Sequence, residues 1–250
     1  MSKVLVIGEQ CDDIFIYGDT PRLSPEGPAP VFIPKREVYN GGMGMNVMAN
    51  LSALNIDVEF HHQLSPITKT RHIHEPSNTL LLRIDEEQNI DNIGDRLPKL
   101  DFWEYQMVVV SDYNKGFLTE EDIAYIGFKH PNTICDTKKK LGNWCKDLRF
   151  IKLNRSEYEN NKDFIEQNDW ILEKLIITLD KDGCMYGGTT YPTEQVEIMD
   201  ISGAGDTFVA GFVKMFLDTE DIPKSIQFAN RCSAQVVQRR GVTTIDYENL

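Results

Sequence analysis

At 250 residues the chain is long enough for one sizeable core, and 41% hydrophobic with 26% charged residues is a globular composition rather than a disordered one. A formal net charge of −13 argues against a nucleic-acid footprint, which needs a basic face, but leaves room for an anionic small molecule held by a few local cations. No run approaches the ~20 apolar residues that span a bilayer. The N-terminal apolar run Val4–Ile7 is too short for a secretory signal, and the scattered Cys11, Cys135, Cys145, Cys184 and Cys232 form no C-x-x-C pair. The expectation is a cytoplasmic protein with free thiols and no membrane partner.

Lys3–Ile7 reads as a buried strand that ends in glycine. Ile14–Val38 is β-rich, kept out of helix by Pro21, Pro25, Pro28, Pro30 and Pro34. Met45–Leu54 has helical spacing, with Asn50 read as a surface residue. Val58–Asp85 is again β-rich. His61-His62 and His72-x-His74 within it lack the companions of a metal site and read as ordinary strand and loop residues. Met107–Val110 is a strand stopped by Ser111-Asp112, and Thr119–Phe128 a helix with Thr119 as cap and Asp122 in a capping-box position. Thr133–Cys135, Phe150–Leu153 and Leu175–Leu179 are further strands. Asp206–Leu217 and Ile222–Gln238 are helices, the second with Pro223 in its first turn. The alternation predicts an α/β fold, a mostly parallel sheet flanked by helices, with ligands beyond the carboxyl ends of its strands. The two β-rich regions break the alternation and form either an edge extension of that sheet or a separate one.

The segment Asp200-Ile201-Ser202-Gly203-Ala204-Gly205-Asp206 reads as a strand end, a glycine turn and a helix start. Gly203, Ala204 and Gly205 let backbone N–H groups approach a ligand, and a helix N-terminus adds unpaired donors and partial positive charge suited to phosphate. An aspartate beside such an anion site is where a base for an attacking hydroxyl is expected; the alternative is an ordinary first-turn residue. No G-x-x-x-x-G-K-[ST] loop occurs. Gly41-Gly42-Met43-Gly44-Met45-Asn46 is a second glycine turn, where Asn46 offers donors and an acceptor to hydroxyls.

The Gly203–Asp206 turn resembles the signature of the ribokinase-like, or phosphofructokinase B, carbohydrate kinases. The resemblance implies a ribokinase-like fold in one kinase domain over 1–250, with a small β-sheet lid from about 14–38 and 58–85. It implies Asp206 as catalytic base with the amides of Gly203, Ala204 and Gly205 around the transferred phosphoryl group. Asp13, Gly41, Gly42 and Asn46 match the sugar-binding positions, with Asp12 an alternative to Asp13. Asn154-Arg155-Ser156-Glu157 matches the Asn-x-x-Glu motif, which implies ATP and Mg²⁺, with Glu157 acting on the metal through water. Thr178 and Gly183 match nucleotide contacts, together with Asn154 and Gly205. Ser111-Asp112-Tyr113-Asn114-Lys115-Gly116 and the proline-rich Arg22–Val31 resemble the heptose-7-phosphate kinases, as do Ile67–Arg71, Leu82–Asp85 and Asp136-Thr137-Lys138. That implies a sugar-phosphate acceptor, with Lys115 its leading phosphate contact and Lys69, Arg71, Arg83 and Lys138 as further candidates. Such lids often pair between subunits, so a homodimer is expected.

The chain departs from the pattern in two places. A strand–helix unit usual after Leu54 is missing, since Asn55–Ser65 runs directly into Pro66-Ile67-Thr68-Lys69, and Ile151-Lys152-Leu153-Asn154 lacks the usual proline.

Overall fold

Val4-Leu5-Val6-Ile7 and Met107-Val108-Val109-Val110 carry no polar break, so both faces of each strand must be covered. The computed structural model, which describes residues 2–87 and 90–250, sets these runs side by side as neighbouring interior strands of a sheet. In chain order the elements are β1 (Lys3–Gly8), β2 (Gln10–Leu23), β3 (Pro30–Met43), α1 (Gly44–Ala53), β4 (Asp57–His61), β5 (Ile67–His74), β6 (Thr79–Glu87), β7 (Met107–Asp112), α2 (Glu120–Lys129), β8 (Thr133–Thr137), β9 (Phe150–Asn154), α3 (Arg155–Asn160), α4 (Lys162–Glu166), β10 (Leu175–Thr178), β11 (Cys184–Tyr186), β12 (Thr189–Tyr191), α5 (Ala204–Thr219) and α6 (Ile222–Val236).

The main sheet has the order β12-β11-β10-β9-β8-β7-β1-β4. It is parallel from β10 to β4, with β11 and β12 added antiparallel. Strand alternation sends Val4, Val6, Met107 and Val109 to one face, where they meet α1, α5 and α6. Leu5, Ile7, Val108 and Val110 go to the other face, against α2 and α4. From β1 the chain goes one way to β4, and from β7 the other way to β8, so the carboxyl ends of β1 and β7 flank a topological switch point, where open α/β sheets bind ligands.

The two β-rich regions form a separate four-stranded sheet, β3-β2-β5-β6, in which β2 and β5 are parallel and the outer pairs antiparallel. Its limits differ from the expected ones. Val58–His61 belongs to β4 and pairs with β1 in the main sheet, while the second sheet starts further upstream, at Gln10, and extends to Met43. Residues 62–66 then connect β4 to β5 with no helix between them.

Helix limits follow the local chemistry. Thr119 caps α2 in a capping box with Asp122, and Asp221 caps α6 ahead of Pro223. Helix α5 begins at Ala204, two residues before the expected start, because Gly203 takes φ +80° as its N-cap. Phe212 and Phe216 of α5 pack on Phe150 of β9, with edge-on ring centroids 5.1 and 5.2 Å away. Fully buried Phe212 therefore ties the site helix to the sheet. Phe212→Ala is expected to lower the unfolding free energy by about 3–5 kcal/mol, measured by urea denaturation.

Candidate active site

Glycines at the strand ends shape the site. A Cβ on Gly8, at the end of β1, would lie 1.9 Å from the Ser111 carbonyl oxygen, so only glycine lets β1 and β7 finish this close together. The next residue, Glu9, is fully buried and accepts main-chain hydrogen bonds from Tyr113 at 2.7 Å, Lys115 at 2.9 Å and Phe117 at 3.3 Å. Burial, with Asp112 nearby, raises the Glu9 pKa, while these three donors oppose the rise. The turn after β7 is thereby pinned, and with it Tyr113.

Tyr113 Oη donates to Asp206 Oδ1 at 2.8 Å, and Asn46 Nδ2 donates to Asp206 Oδ2 at 3.0 Å. Asp206 sits in the first turn of α5 with 5% of its surface exposed. Burial lifts its pKa from 3.8 to about 6, with Asp136 adding to the shift and Asn46, Tyr113 and Lys152 opposing it. Of the three expected amides, that of Ala204 donates to the Ile201 carbonyl at 3.2 Å. At Gly205 a Cβ would lie 2.9 Å from Lys152 Nζ, so the ammonium rests against the helix N-terminus.

A cleft of about 470 Å³ opens here. Its lining includes Gly203, Ala204, Gly205, Asp206, Asn154, Thr178 and Gly183, so the expected base, turn and nucleotide residues come together. Val196, Ile198, Ile201, Ala234 and Val237 form an apolar wall. Gly183, at φ +92°, leaves no room for a side chain, because its Cβ would lie 2.2 Å from the Tyr191 carbonyl oxygen.

Asn154 and Glu157 form a reciprocal cap on α3, and Glu157 also pairs with Lys138. Lys138 reaches into the cleft, as do Asp136 and Lys152, whose side chains pair at 2.9 Å. Burial works against ionisation of Asp136, but Lys152 and Lys138 outweigh it and hold the carboxyl below its usual range. Among the described residues no group of three or more His, Cys, Asp or Glu could hold a metal ion by itself. Asp136 Oδ1 nonetheless has no hydrogen-bond partner, and Glu157 is nearby through Lys138. This donor set fits a magnesium ion carried mainly by phosphates and water.

The residues expected on the sugar side have these surroundings. Gly42 touches Asp13, since a Cβ there would lie 2.3 Å from Asp13 Oδ2, and Asp13 pairs with Arg71 at 2.5 Å. Asp12 is exposed, on the opposite side of β2 from buried Asp13. Lys115 pairs with Glu87 at the end of β6 and lies outside the lining of the cleft. Asn50, read as a surface residue, is fully buried on the same face of α1 as Asn46. The histidines divide between the two sheets, His61 beside Glu59 and His72 against the Phe32 ring.

Sequence reasoning missed Lys152 as a site residue and Tyr113 as a partner of Asp206. The signal for Lys152 was an ionisable residue inside the apolar run Phe150-Ile151-Lys152-Leu153. Tyr113 had no comparable signal, because its partner lies 93 residues away in the chain.

The profile of the pfkB family carbohydrate kinases matches residues 127–249. The bifunctional protein HldE of Helicobacter pylori strain J99 is 28% identical over 305 aligned positions, covering all of this chain. Residues 127–249 thus carry a pfkB family carbohydrate kinase domain. It spans 66% of the length of that relative, just under two thirds. The HldE of Hydrogenovibrio crunogenus is 26% identical over 98% of this chain and 61% of its own. The fold is ribokinase-like: ribokinase from Thermotoga maritima superposes with a TM-score of 0.75 at 15% identity over 99% of this chain and 98% of its own. Phosphofructokinase-2 from Escherichia coli gives 0.74 at 13% identity, over 100% and 97%. The chain is shorter than its HldE alignment, so the relative carries residues that it lacks. No described helix is long and apolar enough to cross a membrane.

The raised pKa of Asp206 has a stability consequence. A carboxyl that ionises less readily when folded stabilises the native state below about pH 4, and that stability is lost as pH rises through about 6. Asp206→Asn is therefore expected to gain on the wild type between pH 4 and 6 and to exceed its Tm by at least about 2 °C at pH 7–8, measured by thermal unfolding across that range.

Proposed function

We propose that this chain transfers the terminal phosphoryl group of ATP to a hydroxyl of a sugar phosphate. We take the acceptor to be the anomeric hydroxyl of D-glycero-D-manno-heptose 7-phosphate, giving the 1,7-bisphosphate. The observation that carries the reading is a buried carboxylate, Asp206, with a pKa of about 6, in the first turn of a glycine-capped helix that borders a cleft. Such a base is ionised at neutral pH and well matched to take a proton from an attacking hydroxyl. The helix N-terminus and the Lys152 ammonium supply positive charge where the phosphoryl charge would spread. The apolar wall suits the nucleotide base, with Asn154, Thr178 and Gly183 at the strand ends beside it. Magnesium, when bound, neutralises phosphate charge; Asp136 and Glu157 are the residues here that would orient it through water.

A phosphorylated acceptor is supported by the register of the second sheet. Asp13, Lys69 and Asp85 lie in one cross-strand row, and Phe15, Arg71 and Arg83 in the next row on the same face. That face looks toward the base, since Lys69 Nζ lies 5.7 Å from the centroid of the Tyr113 ring. Lys69, Arg71 and Arg83 thus outnumber Asp13 and Asp85 on this face, in a chain of net charge −13. The motif resemblance at Ser111–Gly116 and Arg22–Val31 supports the heptose within this class. We further propose a homodimer, because edge strand β6 exposes Leu80, Leu82 and Ile84, and a cytoplasmic location, because all five cysteines are free and buried.

The test is ADP release with Mg-ATP against a panel of sugars and sugar phosphates. Asp206→Asn is expected to lower turnover at least ~10²-fold with little change in acceptor affinity. Release with a non-phosphorylated sugar in preference to every sugar phosphate would overturn the acceptor class. Lys69→Gln and Arg83→Gln are expected to raise KM for the phosphorylated acceptor about tenfold and to leave KM for ATP unchanged.

A further inference from the structure

Asn50 lies one helical turn beyond Asn46 on α1, on the same face, and has no exposed surface. Its Nδ2 donates to Asn46 Oδ1 at 2.9 Å and to the Asn46 main-chain carbonyl at 2.8 Å. Its Oδ1 accepts the Ile245 N–H at 3.0 Å. A backbone N–H can only donate, so Ile245 fixes which end of the Asn50 amide is oxygen. The nitrogen end must then face Asn46, which fixes the Asn46 amide in turn. Asn46 is left with Nδ2 toward Asp206 Oδ2 at 3.0 Å and the Gly203 carbonyl at 3.3 Å. The hydrogen bonds share one direction, from Ile245 through Asn50 and Asn46 to Asp206.

We propose that Asn50 is a positioning residue, anchored on the C-terminal segment at Ile245, that holds the Asn46 amide with its N–H rather than its oxygen toward Asp206. The inference rests on reading Asp206 as the base. With Asn50 removed, Asn46 is free to turn, and either the donor to Asp206 is lost or an amide oxygen faces the carboxylate. The other groups facing Asp206 come from different elements: Tyr113 from the turn after β7, Cys11 from β2, Asp136 from β8, Lys138 just after it and Lys152 from β9. Asn50 hydrogen-bonds none of these, so its removal changes one identifiable partner of the base.

The experiment uses the full chain with Asn50→Ala, and Asn50→Ser as a smaller disturbance should the alanine variant fail to fold. Two quantities are read: the ¹³C NMR titration of the Asp206 carboxyl, with its resonance identified by its absence in Asp206→Asn, and the acid limb of the pH–turnover profile. Both variants are expected to raise the Asp206 midpoint by at least about one unit. The acid limb should move upward with it. A purely structural role would lower Tm and leave the midpoint in place, so an unmoved midpoint in a folded variant overturns the proposal. The NMR reading needs no turnover: a wild type inactive on every acceptor counts against the kinase reading, while the titration alone decides the role of Asn50.

Discussion

A carboxylate held out of water is costly, and the Asp206 site is built around meeting that cost. Three elements distant in sequence each supply part of the answer. Helix α5 gives its N-terminus, α1 gives the Asn46 amide, and the turn after β7 gives the Tyr113 hydroxyl. The α5 N-terminus comes with the local glycine turn, but the Asn46 amide and the Tyr113 hydroxyl are brought in from far along the chain. Tyr113 depends on Glu9, a second buried acid that collects three main-chain N–H groups from the same turn. Glu9 in turn depends on Gly8, which lets β1 finish against Ser111. The switch point of the sheet and the surroundings of Asp206 are thus one connected arrangement.

Local charge runs against the average. The chain is strongly acidic, yet the cleft holds Lys138 and Lys152, and the second sheet carries Lys69, Arg71 and Arg83 on one face, with Lys69 against the Tyr113 ring. Paired acids keep several of these cations in place: Asp136 for Lys152, Glu157 for Lys138, and Asp13 for Arg71. A cation held this way is oriented before an anionic ligand arrives, so less side-chain freedom is lost on binding. The acidic surplus elsewhere does not weaken such a site, because exposed charges beyond about a Debye length are screened.

Much of the fold could be read from the chain. Strands such as Met107–Val110 show as unbroken apolar runs, and α2 and α6 announce themselves through Thr119 with Asp122 and through Pro223. What could not be read was long-range partnership. Asn50 looked like one more polar helix residue, yet it is buried and accepts the N–H of Ile245, nearly two hundred positions away. Val58–His61 looked like the start of the second sheet, but its strand completes the edge of the first. Strand propensity is the same in either place; only the pairing partner differs.

Local sequence is enough for the alternation of strand and helix, the glycine turn ahead of α5 and the presence of Asp206 in it. These follow from side-chain size, periodicity and backbone freedom within a few residues. Tertiary structure alone decided the electrostatic character of Asp206: its burial, its two donors, the Lys152 ammonium nearby and the cationic face opposite. Those depend on which surfaces meet across the sheet, and charge–charge and hydrogen-bond energies are set by distance and solvent access, which no local spacing encodes.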